Sequence, residues 1–229
     1  MNNLIFGVGF SVVFAVIMGM IMGSKPAFEG ASYSFMEQSF GAVISIGIGA
    51  TGLMGLPLAL ADYRYKKVLK RFLVTPVSPG MLLLVQFIVN LLVSILCLVL
   101  VYLVYVIFFD YSMRGSFLHF IPAYLLVLLS IYSIGMMLAS VSPNIKTANL
   151  LCCIFYFPMF FFSGATLPYE IMPRVLQKSA DFMPLTQGIK LLKTVSLGLP
   201  AEGMVPPVLL MAALALLCIA LSVRFFRWE

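Results

Sequence analysis

Covalent or metal chemistry in this chain would have to start from Ser163, His119 or one of four cysteines. Ser163 stands in Phe161-Phe162-Ser163-Gly164, which lacks the first glycine of a Gly-x-Ser-Gly serine-protease signature, and the single histidine, His119, is its one conceivable base. Cys97, Cys152, Cys153 and Cys218 all lie inside apolar runs without metal-like spacing, so they read as small apolar residues. No His-Glu-x-x-His is present, and no metal ligand set is assigned. Gly23-Ser24-Lys25 is not a phosphate loop, which needs Gly-Lys-Ser/Thr in that order opening a helix. The chain therefore does not bind ATP by that route.

The elements that hold these residues are apolar. Of 229 residues 62% are hydrophobic and 10% charged, with a mean hydropathy of +1.11; a soluble domain carries about 25% charge. This is an integral membrane protein of all-α class, with no room for a separate soluble domain. Six runs are long enough to span, at about 3–22, 39–61, 81–108, 120–141, 148–166 and 206–223, and none contains Asp, Glu, Lys or Arg. The first reads as a span and not as a cleaved leader, since no positive charge precedes it and no small-x-small site follows. Secondary transporters commonly keep ionisable groups at mid-membrane to couple ions, and these cores have none. If the chain moves a substrate uphill, another chain supplies the energy. An ion-coupled secondary transporter or channel is the alternative, and an intramembrane enzyme using Ser163 and His119 a third reading.

An even number of spans puts both ends on one side and divides the loops into two sets. One holds Arg64, Lys66, Lys67, Lys70, Arg71, Lys146, Arg224 and Arg227 with two acids, a net of +6; the other holds six bases and six acids. The positive charge marks basic cytoplasmic loops, and nucleic acid is not a partner. Both termini are expected inside.

Within the spans, Gly41, Ser45, Gly49 and Gly52 form a small-residue face that lets another helix approach closely, in the same subunit or in a second copy. Pro57 should kink the cytoplasmic end of that span. Gln86 and Asn90, one turn apart, are expected to hydrogen-bond a neighbouring helix, with a pathway-lining role as the lesser reading. Tyr102, Tyr105, Phe108 and Phe109 read as an interfacial belt, and His119 as an interfacial histidine.

Two stretches are neither span nor plain loop. Residues 62–74 place Tyr65, Val68, Leu69, Phe72 and Leu73 on one helical face and Arg64, Lys67, Lys70 and Arg71 on the other, stopping before Pro76. This short basic amphipathic helix is suited to an anionic lipid surface or to a groove on a cytoplasmic partner. From Ser163-Gly164 onward, Pro168, Pro173 and Pro184 cut the chain into pieces of about 10–14 residues, too short for the about 20 that a span needs. One piece puts Arg174, Gln177, Lys178 and Asp181 on one face; the next puts Leu185, Ile189 and Leu192 on one stripe. They are expected to be re-entrant half-helices, at about 168–197, lying at or dipping into the outer face.

These features resemble the membrane (permease) subunits of type-2 ATP-binding-cassette (ABC-2 type) transporters, mostly bacterial and archaeal exporters. Ser163-Gly164, Pro168, Pro173 and Pro184-Leu185-Thr186 are similar to the family's signature before the last span. Lys70-Arg71-Phe72-Leu73-Val74-Thr75-Pro76-Val77-Ser78 is similar to its junction between spans two and three. The likeness runs from Asn3 to Arg224. It implies a pathway between two permease copies, as homodimer or heterodimer, in the cell inner membrane. Two ABC ATPase subunits would dock beneath and bind the ATP and Mg; this chain would bind no cofactor. The helix at 62–74 would be the coupling helix, through Arg64, Lys67, Val68, Leu69, Lys70, Arg71, Phe72, Thr75 and Pro76, and the half-helices would cap the exit. Members also carry a cytoplasmic amphipathic segment before span one, where this sequence has Met1 and Asn2. They more often carry a Glu-rich coupling segment with a glycine, where this one reads Ala61-Asp62-Tyr63-Arg64-Tyr65-Lys66. Charge-free spans favour a drug, a lipid-linked molecule or another amphiphile as cargo; Tyr156 and Phe160 read as packing residues before sugar-stacking ones.

Overall fold

The computed structural model describes residues 2–22, 33–68, 78–164, 169, 172–200 and 204–225, without the side chains of 2–6, 22 and 79. Their order is α1 (Asn2–Met22), α2 (Phe35–Tyr65), α3 (Pro79–Phe109), α4 (Phe117–Val141), α5 (Ile145–Phe162), α6 (Arg174–Asp181), α7 (Pro184–Leu197) and α8 (Val205–Arg224). No sheet occurs among the described residues. Helices α2, α3, α4, α5 and α8 are each long and apolar enough to cross a membrane; α1 contributes a shorter apolar stretch, Gly7–Ile21.

The helix starts follow from capping. Ser34 and Glu37 form a capping box on α2, each side chain bonding the other's backbone N–H. Ser78, Ser116 and Asn144 cap α3, α4 and α5, and Pro184 occupies the first turn of α7. Gly198 ends α7 at φ 66. At 31 residues α3 is about 46 Å long, so it tilts in or projects from a hydrocarbon core of about 30 Å.

Helix α2 is the hub. Of its spanning window 83% is buried and of α4's 72%, against 22% for α3 and 28% each for α5 and α8. The first two are therefore interior and the others form the rim. Close approach is what packs such a bundle, because lipid tails are as apolar as leucine and burial by itself gains little. Gly135 of α4 lies so close to the Gly52 carbonyl that an added Cβ would overlap it. At the position where Pro57 predicts a kink, α2 carries a π-helical segment, Ala50–Gly55, in which the Leu56 N–H reaches back to Thr51 O.

The structure departs from sequence expectation in three places here. Helix α2 begins at Phe35 and continues through Asp62 to Tyr65, so the start of the expected coupling helix is an extension of the second span. Lys67, at φ 55, follows the end of that helix. Tyr105 is fully buried, packing on Phe40, Phe109 and Tyr111 and bonding Ser39, whereas Phe108 remains exposed as an interfacial residue would. Helix α7 sits within the bundle, with Leu185, Ile189 and Leu192 buried against α2, α4 and α8.

Candidate functional site

Arg64 lies at one end of α2, and its position corrects the expected solvated basic face. Its side chain is 8% exposed, and Nη1 donates to Ala139 O at 2.5 Å and Ser142 O at 2.7 Å. The cause is in the neighbouring loop. Pro143 has no N–H, so Ala139 O cannot receive the usual bond from four residues on. A cation at that helix C-terminus satisfies the carbonyl and the helix dipole together. Arg64 thereby ties α2 to the turn between α4 and α5. Lys67 is exposed and Val68 half-buried; Leu69, Lys70, Arg71, Phe72, Thr75 and Pro76 lie outside the described residues.

At the other end of α2 are the half-helices. Ser163 and Gly164 close α5, with Gly164 at φ 87. Pro168 lies outside the described residues; Pro173 leads into α6, and Pro184, Leu185 and Thr186 open α7. Asp181 locks the pair. It accepts from Lys190 Nζ at 2.5 Å and Tyr169 OH at 2.8 Å, while its backbone carbonyl accepts from Gln187. Partial burial pushes the Asp181 carboxyl up, but the Lys190 and Tyr169 bonds outweigh that and hold it below its ordinary value. Ser163 and Thr186 are 1% and 0% exposed, and neither hydroxyl has a hydrogen-bond partner among the described residues. Ser163 therefore has no base bonded to it there, and His119 stands exposed beside a different cavity. The nucleophile reading has no geometry to rest on.

The small-residue face of α2 is used within the subunit. Gly41 meets the Leu192–Lys193 backbone of α7, Gly49 meets Tyr156 of α5 and Leu185 of α7, and Gly52 meets Tyr132 and Ile131 of α4. Ser45 bonds back to Gly41 O. Asn90 corrects a further expectation: its amide donates to Gln86 O of its own helix, and Asn90 contacts its neighbour through its backbone carbonyl, which accepts from Tyr132 OH. That tyrosine belongs to a buried hydroxyl cluster missed in the sequence, with Thr51 and Ser94 around Tyr132 and Tyr124 OH on Ser94 O. Thr51 is in the π segment of α2. The available signal was Ser94 one turn beyond Asn90 and two tyrosines eight residues apart on α4.

The arrangement is one of anchored helix ends and an uncharged middle, and it fits a family. The ABC-2 type transporter family matches residues 1–197. The chain belongs to that family. As an ABC-2 member it is a multi-pass membrane permease and a non-catalytic subunit. It is also similar to Nodulation protein J of Rhizobium leguminosarum bv. trifolii, 29% identical over 116 residues, covering 51% of this chain and 42% of that protein. The Nodulation protein J of bv. viciae is 29% identical over 85 residues, 37% of this chain and 33% of that protein. The matches thus span less than half the length of these relatives.

Proposed function

We propose that this ABC-2 permease is the membrane half of an ATP-driven exporter, six spans with α1 as the first and both termini in the cytoplasm. A pair of such subunits, identical or not, encloses the pathway, and separately encoded ABC ATPases engage residues 62–76, among them Val68, Leu69 and Phe72. The α6–α7 pair covers the exit, and Gln86 and Asn90 face no cargo. The cargo is a drug, a lipid-linked molecule or another amphiphile, released outward. One observation supports this reading above the rest. The same rod, α2, meets the exit helix α7 at Gly41 and leads at Arg64 into the basic segment, so a push at one end reaches the other. The test is co-purification with a separately encoded ABC ATPase and transport in proteoliposomes. Val68, Leu69 and Phe72 replaced by Asp should abolish both ATPase capture and ATP-driven flux. Flux that proceeds from an ion gradient without ATP would replace this reading with a secondary transporter or channel.

A further inference from the structure

Two cavities flank the second half of α7. One, of about 280 Å³, lies toward α1, α2 and α5, with Ser163, Lys190 and Lys193 on its wall. Its cations are engaged within the protein: Lys190 pairs with Asp181 at 2.5 Å, and Lys193 lies 5.8 Å from the Tyr33 ring centre. The other, of about 470 Å³, lies toward α4 and the start of α8, and no Asp, Glu, Lys or Arg is among the described residues that line it. Arg114, two residues before the lining residue Ser116, is turned to Glu37 at 2.6 Å. This second wall is graded. Ser116, His119 and Thr194 make a polar end where the start of α4 meets the end of α7, and Ala123, Leu126 and Val208 are among the apolar residues beyond. On α4 the lining runs from Ser116 to Leu126, about 15 Å of helix. The polar end can both donate and accept. Thr194 Oγ1 gives its proton to Lys190 O and is left as an acceptor, Ser116 Oγ accepts from the Leu118 N–H and keeps a proton to donate, and the His119 ring carries an N–H. Pro122 has no N–H, which leaves Leu118 O at the same end without its usual helical donor.

Water alone fits this space poorly, because its deeper wall is apolar and such cavities stay dry. A lipid chain alone would press hydrocarbon on three polar side chains and replace none of their hydrogen bonds to water. An ion would lie against a wall without counter-charge. We propose that the cavity binds an uncharged amphiphile, its hydroxyl or amide head among Ser116, His119 and Thr194 and its apolar body along Ala123, Leu126 and Val208. A hydroxyl or an amide donates and accepts at once, as this end requires, and the volume falls within the about 300–1,000 Å³ of small-molecule sites. The molecule enters from the bilayer: Ile121 and Leu125 on α4 and Val205 and Leu209 on α8 are exposed and apolar. Such a site goes beyond the export reading and does not depend on it.

Binding is read on the full chain in phosphatidylcholine nanodiscs without an ATPase. Three photolabels of one chain length are compared, each carrying a diazirine: dodecanol, dodecyl sulfonate and dodecane. Labelling of Leu126 is measured by mass spectrometry relative to Leu92 and Leu96, exposed on the far rim helix α3, which cancels differences in membrane partition. The alcohol should label Leu126 in excess over α3, and unlabelled dodecanol should compete that excess away. The sulfonate's relative labelling should be at least about tenfold lower, because an unpaired buried charge costs more than the about 1.4 kcal/mol that makes a factor of ten. Ala123→Phe fills the cavity and should remove the excess, whereas Leu125→Phe, on the exposed side of α4, should leave it. Val208→Phe repeats the filling test from α8 if Ala123→Phe does not give a monodisperse protein. Thr194→Val should lower the alcohol's relative labelling about fivefold, the worth of one neutral hydrogen bond, and leave that of dodecane unchanged. Selectivity against the sulfonate should survive Glu202→Gln, since Glu202 precedes Met204 by two positions and lies outside the described residues; its loss there would make that carboxylate the cause and overturn the proposal. An excess that is absent, does not saturate or survives both filling variants overturns it too. Equal relative labelling by the alcohol and dodecane overturns the amphiphile and leaves a crevice for lipid chains.

Discussion

Arg64 carries the most information of any single residue, because a missing proton elsewhere explains it. Pro143 deprives Ala139 O of its helical partner, and Arg64 replaces that partner from another helix. Arg64→Ala should leave two carbonyls without their charged donor and cost about 2 kcal/mol, taking the lower part of the range for hydrogen bonds to charged groups. The check is the midpoint of thermal unfolding in detergent; Arg64→Lys should recover part of it, because both bonds come from one nitrogen, Nη1, and an ammonium supplies the same charge and donors on a shorter side chain. A second residue, Asp181, gives a pH signature. Its carboxyl is held below the ordinary carboxylate value in the fold, so its contribution is full above about pH 4, the unfolded value, and is lost as the pH falls through the lower folded value. Asp181→Asn should therefore flatten the acid side of the stability profile below about pH 4 and leave no pH-dependent difference in slope near neutrality. The measurement is unfolding midpoint against pH for both proteins.

At the scale of elements, the crossing of α2 and α4 decides the stability of the bundle. Gly135→Ala forces a Cβ into the Gly52 carbonyl, which is backbone and cannot rotate away. The expected loss is about 1–3 kcal/mol or more, whereas Gly9→Ala, with no described atom within 4 Å of the added Cβ, should be neutral or gain up to about 1 kcal/mol of helix propensity. Paired unfolding measurements on these two variants separate packing from propensity. Most of this layer was legible beforehand. The spans and half-helices follow from apolar run length and proline placement, so α3, α4, α7 and α8 fall within a few residues of their expected bounds. The Gly41 to Gly52 face was legible too, because small residues at helical steps have one physical use in lipid. What it packs against was not. Gly135 and Ala139 form a small-residue pair in α4, but the pair does not say which helix it faces, and the hydroxyls of Thr51, Ser94 and Tyr132 come from three helices, so no local spacing joins them. Arg64 was misplaced for a related reason: a periodicity drawn for one helix cannot see an acceptor 75 residues away.

Across the whole molecule, charge decides which end of the bundle faces the cytoplasm. The loop set holding Arg64 to Arg71 carries the net +6, and the set with the half-helices carries none. Positive segments stay inside during insertion, so the α6–α7 end should lie outside and the Arg64 end inside. Two exposed lysines make the test direct, since Lys178 is on α6 and Lys66 follows α2. Of the native cysteines, Cys97, Cys152 and Cys218 are buried and Cys153 is partly covered, so Cys153→Ser gives a quiet background. In that background Lys178→Cys should react with a membrane-impermeant maleimide on intact spheroplasts, and Lys66→Cys should react only after permeabilisation. The reverse pattern would turn the protein over. It would put the basic segment out of reach of any cytoplasmic ATPase and make the α6–α7 pair a cytoplasmic feature. Equal labelling of both without permeabilisation would mean that 66 and 178 share a face, which the α2–α7 arrangement does not allow, because α7 packs at Gly41 and Lys66 lies 25 residues further along the same helical path, about 37 Å away at 1.5 Å per residue.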